Sequence, residues 1–125
     1  MLNLSSLMLG TMQPEEMAAF YKKVFEKDPD MVDGNWSGWQ VGNTFFSVGE
    51  HSEMGGKAKD AGRIMFNFET TEVKAEFERI KDIKGAEVIK EPYEMGGAWI
   101  ATLADPDGNY FQLMTPWEQS MSDKN

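Results

Sequence analysis

The stretch that most constrains this chain is Ala104-Asp105-Pro106-Asp107-Gly108-Asn109-Tyr110-Phe111-Gln112-Leu113, because a fainter copy of it stands earlier in the same sequence. Asp-Pro-Asp-Gly-Asn is dense in turn formers, and alternating residues follow it, so the stretch reads as a turn feeding a β-strand. Its echo is Val41-Gly42-Asn43-Thr44-Phe45-Phe46-Ser47-Val48, with Gly42-Asn43 matching Gly108-Asn109 at an offset of 66. Upstream, Phe20 in Met17-Ala18-Ala19-Phe20-Tyr21 matches Phe77 in Lys74-Ala75-Glu76-Phe77-Glu78 at an offset of 57. Two matches in the same order predict one small module written twice.

Each copy carries the same pattern. Leu4 to Leu9 reads as a strand. Pro14 opens a helix whose first turn holds Glu15 and Glu16, suited to the positive end of the helix dipole. Met17, Phe20, Tyr21, Val24 and Phe25 make one apolar stripe. Strands are expected around Met31-Val32, Ser37 to Val41 and Thr44 to Val48, with turns at Asp33-Gly34-Asn35 and Gly42-Asn43. Glu50 to Gly62 is polar, contains glycine and has no periodicity, so it reads as a linker. In the second copy, Arg63 to Phe68 alternates as a strand. Thr71 is placed to cap a helix running from Glu72 to about Lys84, with Gly85 as its stop. Strands follow at Glu87 to Lys90, Trp99 to Leu103 and Tyr110 to Met114.

The expected organisation is therefore one α+β domain over 1–125 with two βαβββ modules in tandem, about 3–49 and 63–116. A linker spans about 50–62 and a tail 117–125. A helix covers one face of each four-stranded sheet and leaves the other open. Two such halves are expected to make a curved mixed sheet around a cleft.

Composition removes several function classes. There is no cysteine, hence no disulfide, thiolate nucleophile or cysteine zinc site. The net charge of −9 argues against a nucleic-acid partner, which needs a basic footprint. No apolar run approaches membrane-span length, and the N-terminus lacks the basic region of a signal peptide, so the expected setting is the cytoplasm with no membrane partner. Ten methionines and four tryptophans are many for 125 residues; both types fill cores and also line adaptable pockets.

Strand alternation sorts the faces. Ile64, Phe66 and Phe68 are expected under the second helix, which sends Arg63, Met65 and Asn67 to the open side. The offset of 57 puts Leu7 and Leu9 under the first helix and Ser6, Met8 and Gly10 opposite. Phe111 and Leu113 are core candidates, leaving Tyr110, Gln112 and Met114 open. The offset of 66 then opens Thr44, Phe46 and Val48. A one-residue slip would reverse any of these assignments. Trp99 joins the expected ligand-binding set of Ser6, Met8, Phe46, Arg63, Met65, Asn67, Tyr110, Gln112 and Met114, with Arg63 as its main polar anchor.

The duplicated order, the Phe20-Tyr21-Lys22-Lys23-Val24-Phe25 helix and the Asp105 to Leu113 motif together resemble the glyoxalase / bleomycin-resistance / extradiol-dioxygenase superfamily, also called vicinal oxygen chelate. The resemblance covers Leu4 to Pro116. It implies that metal-dependent members carry two ligands per module on open strand positions, a His or Gln early and a Glu late. Here those positions fall on Ser6, Phe46, Arg63 and Gln112, none of which is an imidazole or carboxylate. His51, the single histidine, lies in the expected linker. Asp105 and Asp107 read as turn formers, because an Asp side chain bonds its own turn backbone.

The leading expectation is a small-molecule-binding protein without metal or other cofactor, resembling the bleomycin-resistance branch and forming a homodimer. An alternative is a metal-dependent lyase, isomerase or dioxygenase with a displaced site recruiting Glu50, His51, Glu91 or Glu94. A third reading is an interaction module.

Overall fold

The computed structural model describes residues 1–116; the tail expected at 117–125 lies outside the described residues. The element order is βαβββ twice. The first set is β1 (Ser6–Thr11), α1 (Pro14–Phe25), β2 (Met31–Asp33), β3 (Trp36–Val41) and β4 (Thr44–Glu50). The second is β5 (Phe66–Glu69), α2 (Val73–Ile80), β6 (Glu87–Met95), β7 (Ala98–Ala104) and β8 (Tyr110–Met114). The chain divides into two compact units, Met1–Gly56 and Lys57–Asn125. Each holds one four-stranded mixed sheet, in the orders β1-β4-β3-β2 and β5-β8-β7-β6. The first strand of each sheet pairs parallel with the last, and the other pairings are antiparallel. Among the described residues no helix is long and apolar enough to cross a membrane.

In the first unit, Pro14 opens α1, acidic residues occupy its first turn and lysines its last, so charge opposes the dipole at both ends. The apolar stripe buries Met17, Phe20, Tyr21 and Val24. Tyr21 and Phe25 bring their rings to Phe46 of β4, at 4.6 and 5.2 Å between centroids, and Phe25 meets Trp39 of β3 at 5.5 Å. Trp39 is fully buried and donates its indole N–H to the Lys27 carbonyl at 3.1 Å. Asp30 fastens the helix exit to β3. Its carboxylate accepts the Gln40 backbone N–H at 2.7 Å and the Lys27 ammonium at 3.1 Å. The Gln40 bond first, then Lys27, hold the Asp30 pKa below the ordinary carboxylate range.

In the second unit α2 buries Val73, Phe77 and Ile80. It is shorter than the expected 72–84. It ends at Ile80, and isolated turns carry the chain on, with Ile83 N–H donating to Ile80 O and Ala86 N–H to Ile83 O. The expected Thr71 cap is not formed: Glu72 stands at the N-cap with no side-chain cap bond, and the Thr70 hydroxyl accepts Glu72 N–H at 3.0 Å in the turn before the helix.

The entry to β8 is built on one carboxylate. Asp105 is fully buried. Its Oδ1 accepts backbone N–H from Asp107 at 2.9 Å and Asn109 at 3.0 Å, and the Asn109 side-chain amide donates to Oδ2 at 2.9 Å. Gly108 takes a positive φ of 84° to close the turn. This turn also explains why β5 begins at Phe66 and not at Arg63. In the parallel register Phe66 pairs with Phe111, so residues 63–65 would need ladder partners at 108–110. Positions 108 and 109 belong to the turn and only Tyr110 to β8, and Ala58 N–H, not β5, reaches the Asp107 carbonyl at 2.8 Å.

Two outcomes follow. Asp105→Ala leaves buried N–H groups without an acceptor and is expected to destabilise the fold by about 2–3 kcal/mol in urea unfolding, as for other buried charged hydrogen-bonding groups. Because the Asp30 pKa is lowered on folding, its contribution is present above the ordinary carboxylate range and lost as the pH falls through the lowered value. Asp30→Asn should therefore flatten the acid limb of the stability–pH curve, read by thermal melts.

Candidate functional site

Each sheet has one face under its helix and one free of it, and register decides which side chains reach the free face. In the second unit Phe111 and Leu113 are buried on the α2 side, in line with Phe66 and Phe68 of β5 and with Leu103 and Ala101 of β7. The other parity builds the free face as two cross-strand rows. Asn67, Gln112, Thr102 and Lys90 stand opposite one another across β5, β8, β7 and β6. Glu69, Met114, Ile100 and Tyr93 form the next row. Gln112 donates its amide to the Thr102 hydroxyl at 3.2 Å, and the Lys90 ammonium lies 5.5 Å from the Tyr93 ring centre. Tyr110, half-buried, stands at the edge of this face with its ring 3.6 Å from where a Cβ on Gly62 would sit. The result is a line of hydrogen-bond donors beside apolar and aromatic surface.

In the first unit Leu7 pairs with Phe46 and Leu9 with Val48, all on the α1 side. The free face carries Ser6, Met8 and Gly10 of β1, Phe45, Ser47 and Gly49 of β4, and Trp36, Gly38 and Gln40 of β3. Its glycines let large side chains lie down on the backbone. A Cβ on Gly38 would come within 2.4 Å of the Phe45 ring, and one on Gly49 within 2.9 Å of both Met8 and Trp36.

The structure places Ser6, Met8, Asn67, Tyr110, Gln112 and Met114 on the free faces. Three expected site residues are displaced, and a fourth changes setting. Phe46, with Thr44 and Val48, turns to the helix side: Phe46 is 2% exposed among the α1 rings. The equivalence across units is Phe46 with Phe111, an offset of 65. The matched Gly-Asn pairs mislead because two residues link β3 to β4 whereas five link β7 to β8. Trp99 lies on the α2 side, its ring 3.8 Å under the Lys74 ammonium and facing a cavity of about 210 Å³ at the start of that helix. Arg63 precedes β5, its side chain is 79% exposed, and its guanidinium lies 3.9 Å from Asp60. Met65 also precedes β5 and is 41% exposed; Ile64, expected under the helix, is 71% exposed.

Sequence reasoning missed Thr102, Lys90 and Tyr93. Thr102 was missed because Trp99, which has the opposite parity in β7, was placed on the open face. Lys90 and Tyr93 were missed because β6 changes register twice along its length.

The model of the glyoxalase-like domain matches residues 6–114. The chain belongs to that family. Solved structures agree in fold. A glyoxalase-related enzyme from Fulvimarina pelagi aligns with 18% identity, covering 93% of this chain and 89% of the other, at a TM-score of 0.77. A glyoxalase/bleomycin resistance protein/dioxygenase family enzyme from Burkholderia phytofirmans PsJN shares 22% identity over 91% and 98% of the two chains, at 0.73. A glyoxalase/bleomycin resistance protein from Albidiferax ferrireducens T118 shares 18% over 90% and 98%, also at 0.73. At these identities the likeness is one of fold. No curated protein matches the sequence.

Membership raises the question of a divalent metal, and the donors present do not fit one. The free-face strand positions hold Ser6, Met8, Phe45, Ser47, Asn67, Glu69 and Gln112, which offer hydroxyls, amides, a thioether, a ring and one carboxylate, Glu69, with no imidazole beside it. Among the described residues no three His, Asp or Glu side chains gather as a ligand group. Zinc, iron, nickel and manganese sites rely on imidazole, carboxylate or thiolate.

The face assignment has a direct test. Phe46→Ala should cost about 3–5 kcal/mol of stability, as for a buried ring, whereas Arg63→Ala should stay within about 0.5 kcal/mol. Chemical denaturation of both variants reads the difference; equal effects would contradict the register.

Proposed function

We propose that this glyoxalase-like protein binds a small organic molecule on its helix-free sheet surface and uses no divalent catalytic metal, in the manner of the bleomycin-resistance branch. The observation that carries the reading is the row Asn67, Gln112, Thr102 and Lys90, where Gln112 is already oriented by Thr102. Such a row offers donors to a ligand bearing carbonyl, hydroxyl or acidic oxygens. Met114, Tyr93 and Tyr110 supply apolar contact, the usual division of labour in a ligand site. Ser6 and Met8 stand on the free face of the first unit's own sheet, a second surface of the same kind. Lys90 takes the anchoring role expected of Arg63, because its ammonium stands in the row and the Arg63 guanidinium does not.

A homodimer belongs to the same proposal. β2 and β6 are sheet edges, and they expose Met31, Val32, Val88 and Met95, the apolar edge surface that pairing covers. Light scattering across micromolar concentrations reads the mass.

The functional test joins two measurements. Elemental analysis of freshly purified protein should find no stoichiometric zinc, iron, nickel or manganese. Native mass spectrometry, followed by a fluorescence screen, should find an organic ligand. Gln112→Ala should weaken that ligand by about 1 kcal/mol, the net scale of one hydrogen bond, and Lys90→Met should weaken acidic ligands more than neutral ones. About one divalent transition metal per chain would sink the reading. So would affinities unchanged in both variants.

A further inference from the structure

We propose that Met12, His51 and Met54 form a binding site for a soft monovalent cation, copper(I) being the biological candidate. The three residues lie about the end of β1. His51 N–H donates to the Thr11 carbonyl at 2.8 Å, and Met54 N–H donates to the His51 carbonyl at 3.1 Å, so the 51–54 turn folds back onto the strand. Gly10 makes room for it. The point where a Gly10 Cβ would sit is 3.2 Å from His51 Cβ and 3.3 Å from Met54 Cγ, so both side chains start from one spot above the strand. Met12 follows Gly10 by two residues, and its sulfur lies 2.7 Å from where a Cβ on Gly55, the next residue after Met54, would stand. Two glycines thus leave room at the strand's end, where the proposed site would draw the two thioethers and the imidazole onto one ion.

Solvent reaches both thioethers. Met12 is 58% and Met54 50% exposed, and burying such side chains in a core is the ordinary way to use them. Thioether sulfur is a soft, neutral donor that favours copper(I) over harder divalent ions, and imidazole suits copper as well. The His51 Nδ1 lone pair now accepts the Glu53 N–H at 3.2 Å. A cation takes that lone pair in place of the Glu53 bond while the proton stays on Nε2. Three neutral ligands leave the ion's single charge uncompensated, and Glu50 and Glu53 flank the turn in a chain of net charge −9. The site lies within the first unit and shares no residue with the donor row of the second sheet.

The test uses the full-length protein and silver(I) nitrate as a redox-inert probe in chloride-free buffer, by calorimetry and native mass spectrometry. Copper(I) in anaerobic competition with bicinchoninate follows. One silver ion per chain is expected. Met12→Leu and Met54→Leu should each lower the affinity by at least about tenfold, the scale on which metal sites respond to altered ligand shells. Met31→Leu and Met95→Leu, exposed methionines elsewhere, should leave it unchanged. Carbon-labelled methionine methyl spectra should shift at Met12 and Met54 on silver addition, a readout independent of stability. The proposal is overturned if the wild-type chain retains no silver, if the Met12→Leu, Met54→Leu double variant binds as tightly as wild type, or if zinc binds as tightly as silver.

Discussion

The buried Asp105 carboxylate is the constraint on which the second unit depends. A carboxylate without solvent must be satisfied by donors, and here the donors are the backbone of its own turn and the Asn109 amide. Fixing that turn fixes where β8 begins. β8 lies between β5 and β7, so its register decides which residues of three strands share a face. The donor row from Asn67 to Lys90 is a consequence of this single anchoring. The late start of β5 and the loss of Arg63 from the sheet have the same origin, since the turn occupies the place where a longer strand would pair.

The first unit reaches a similar sheet by other means. Its last hairpin closes on Gly42-Asn43, with Gly42 at a φ of 57°, and needs no buried charge. The register is held by aromatic packing: Tyr21, Phe25, Trp39 and Phe46 make one cluster between α1 and the sheet. Two solutions to the same topological problem explain why the units match as patterns of elements and differ by one residue in the strand that follows the turn. With a side-chain period of two, that residue exchanges core for surface.

Glycine serves the free faces in a way its conformational freedom does not explain. Gly10, Gly38 and Gly49 sit in strands, where a side chain is ordinarily an advantage. Each is covered by a neighbour's side chain: Gly38 by Phe45 and Trp36, Gly49 by Met8 and Trp36, Gly10 by His51 and Met54. The absence of three Cβ atoms lowers the floor of the face and sets both the aromatic surface and the methionine–histidine cluster.

How much of this was legible in the sequence depends on the range of the forces involved. The βαβββ order, the α1 stripe, both glycine turns and the span of β8 follow from local periodicity and turn chemistry, which act over a few residues. The absence of cysteine and the single histidine were legible for the same reason, because composition needs no register. The side taken by Phe46 was not, since it rests on a ladder pairing residues about forty apart and on rings from α1. Trp99 could not be placed without α2 lying over it, nor Arg63 without the turn that ends its strand. Lys90 entered the donor row only through the bulged β6, and His51 and Met54 lie over Gly10 only because a linker turn folds back onto β1. The sequence by itself determined which elements form and that no thiolate is available, since propensity and residue type are local. Only the tertiary structure decided which side chains stand together, because pairing across strands is set by contacts far apart in the chain.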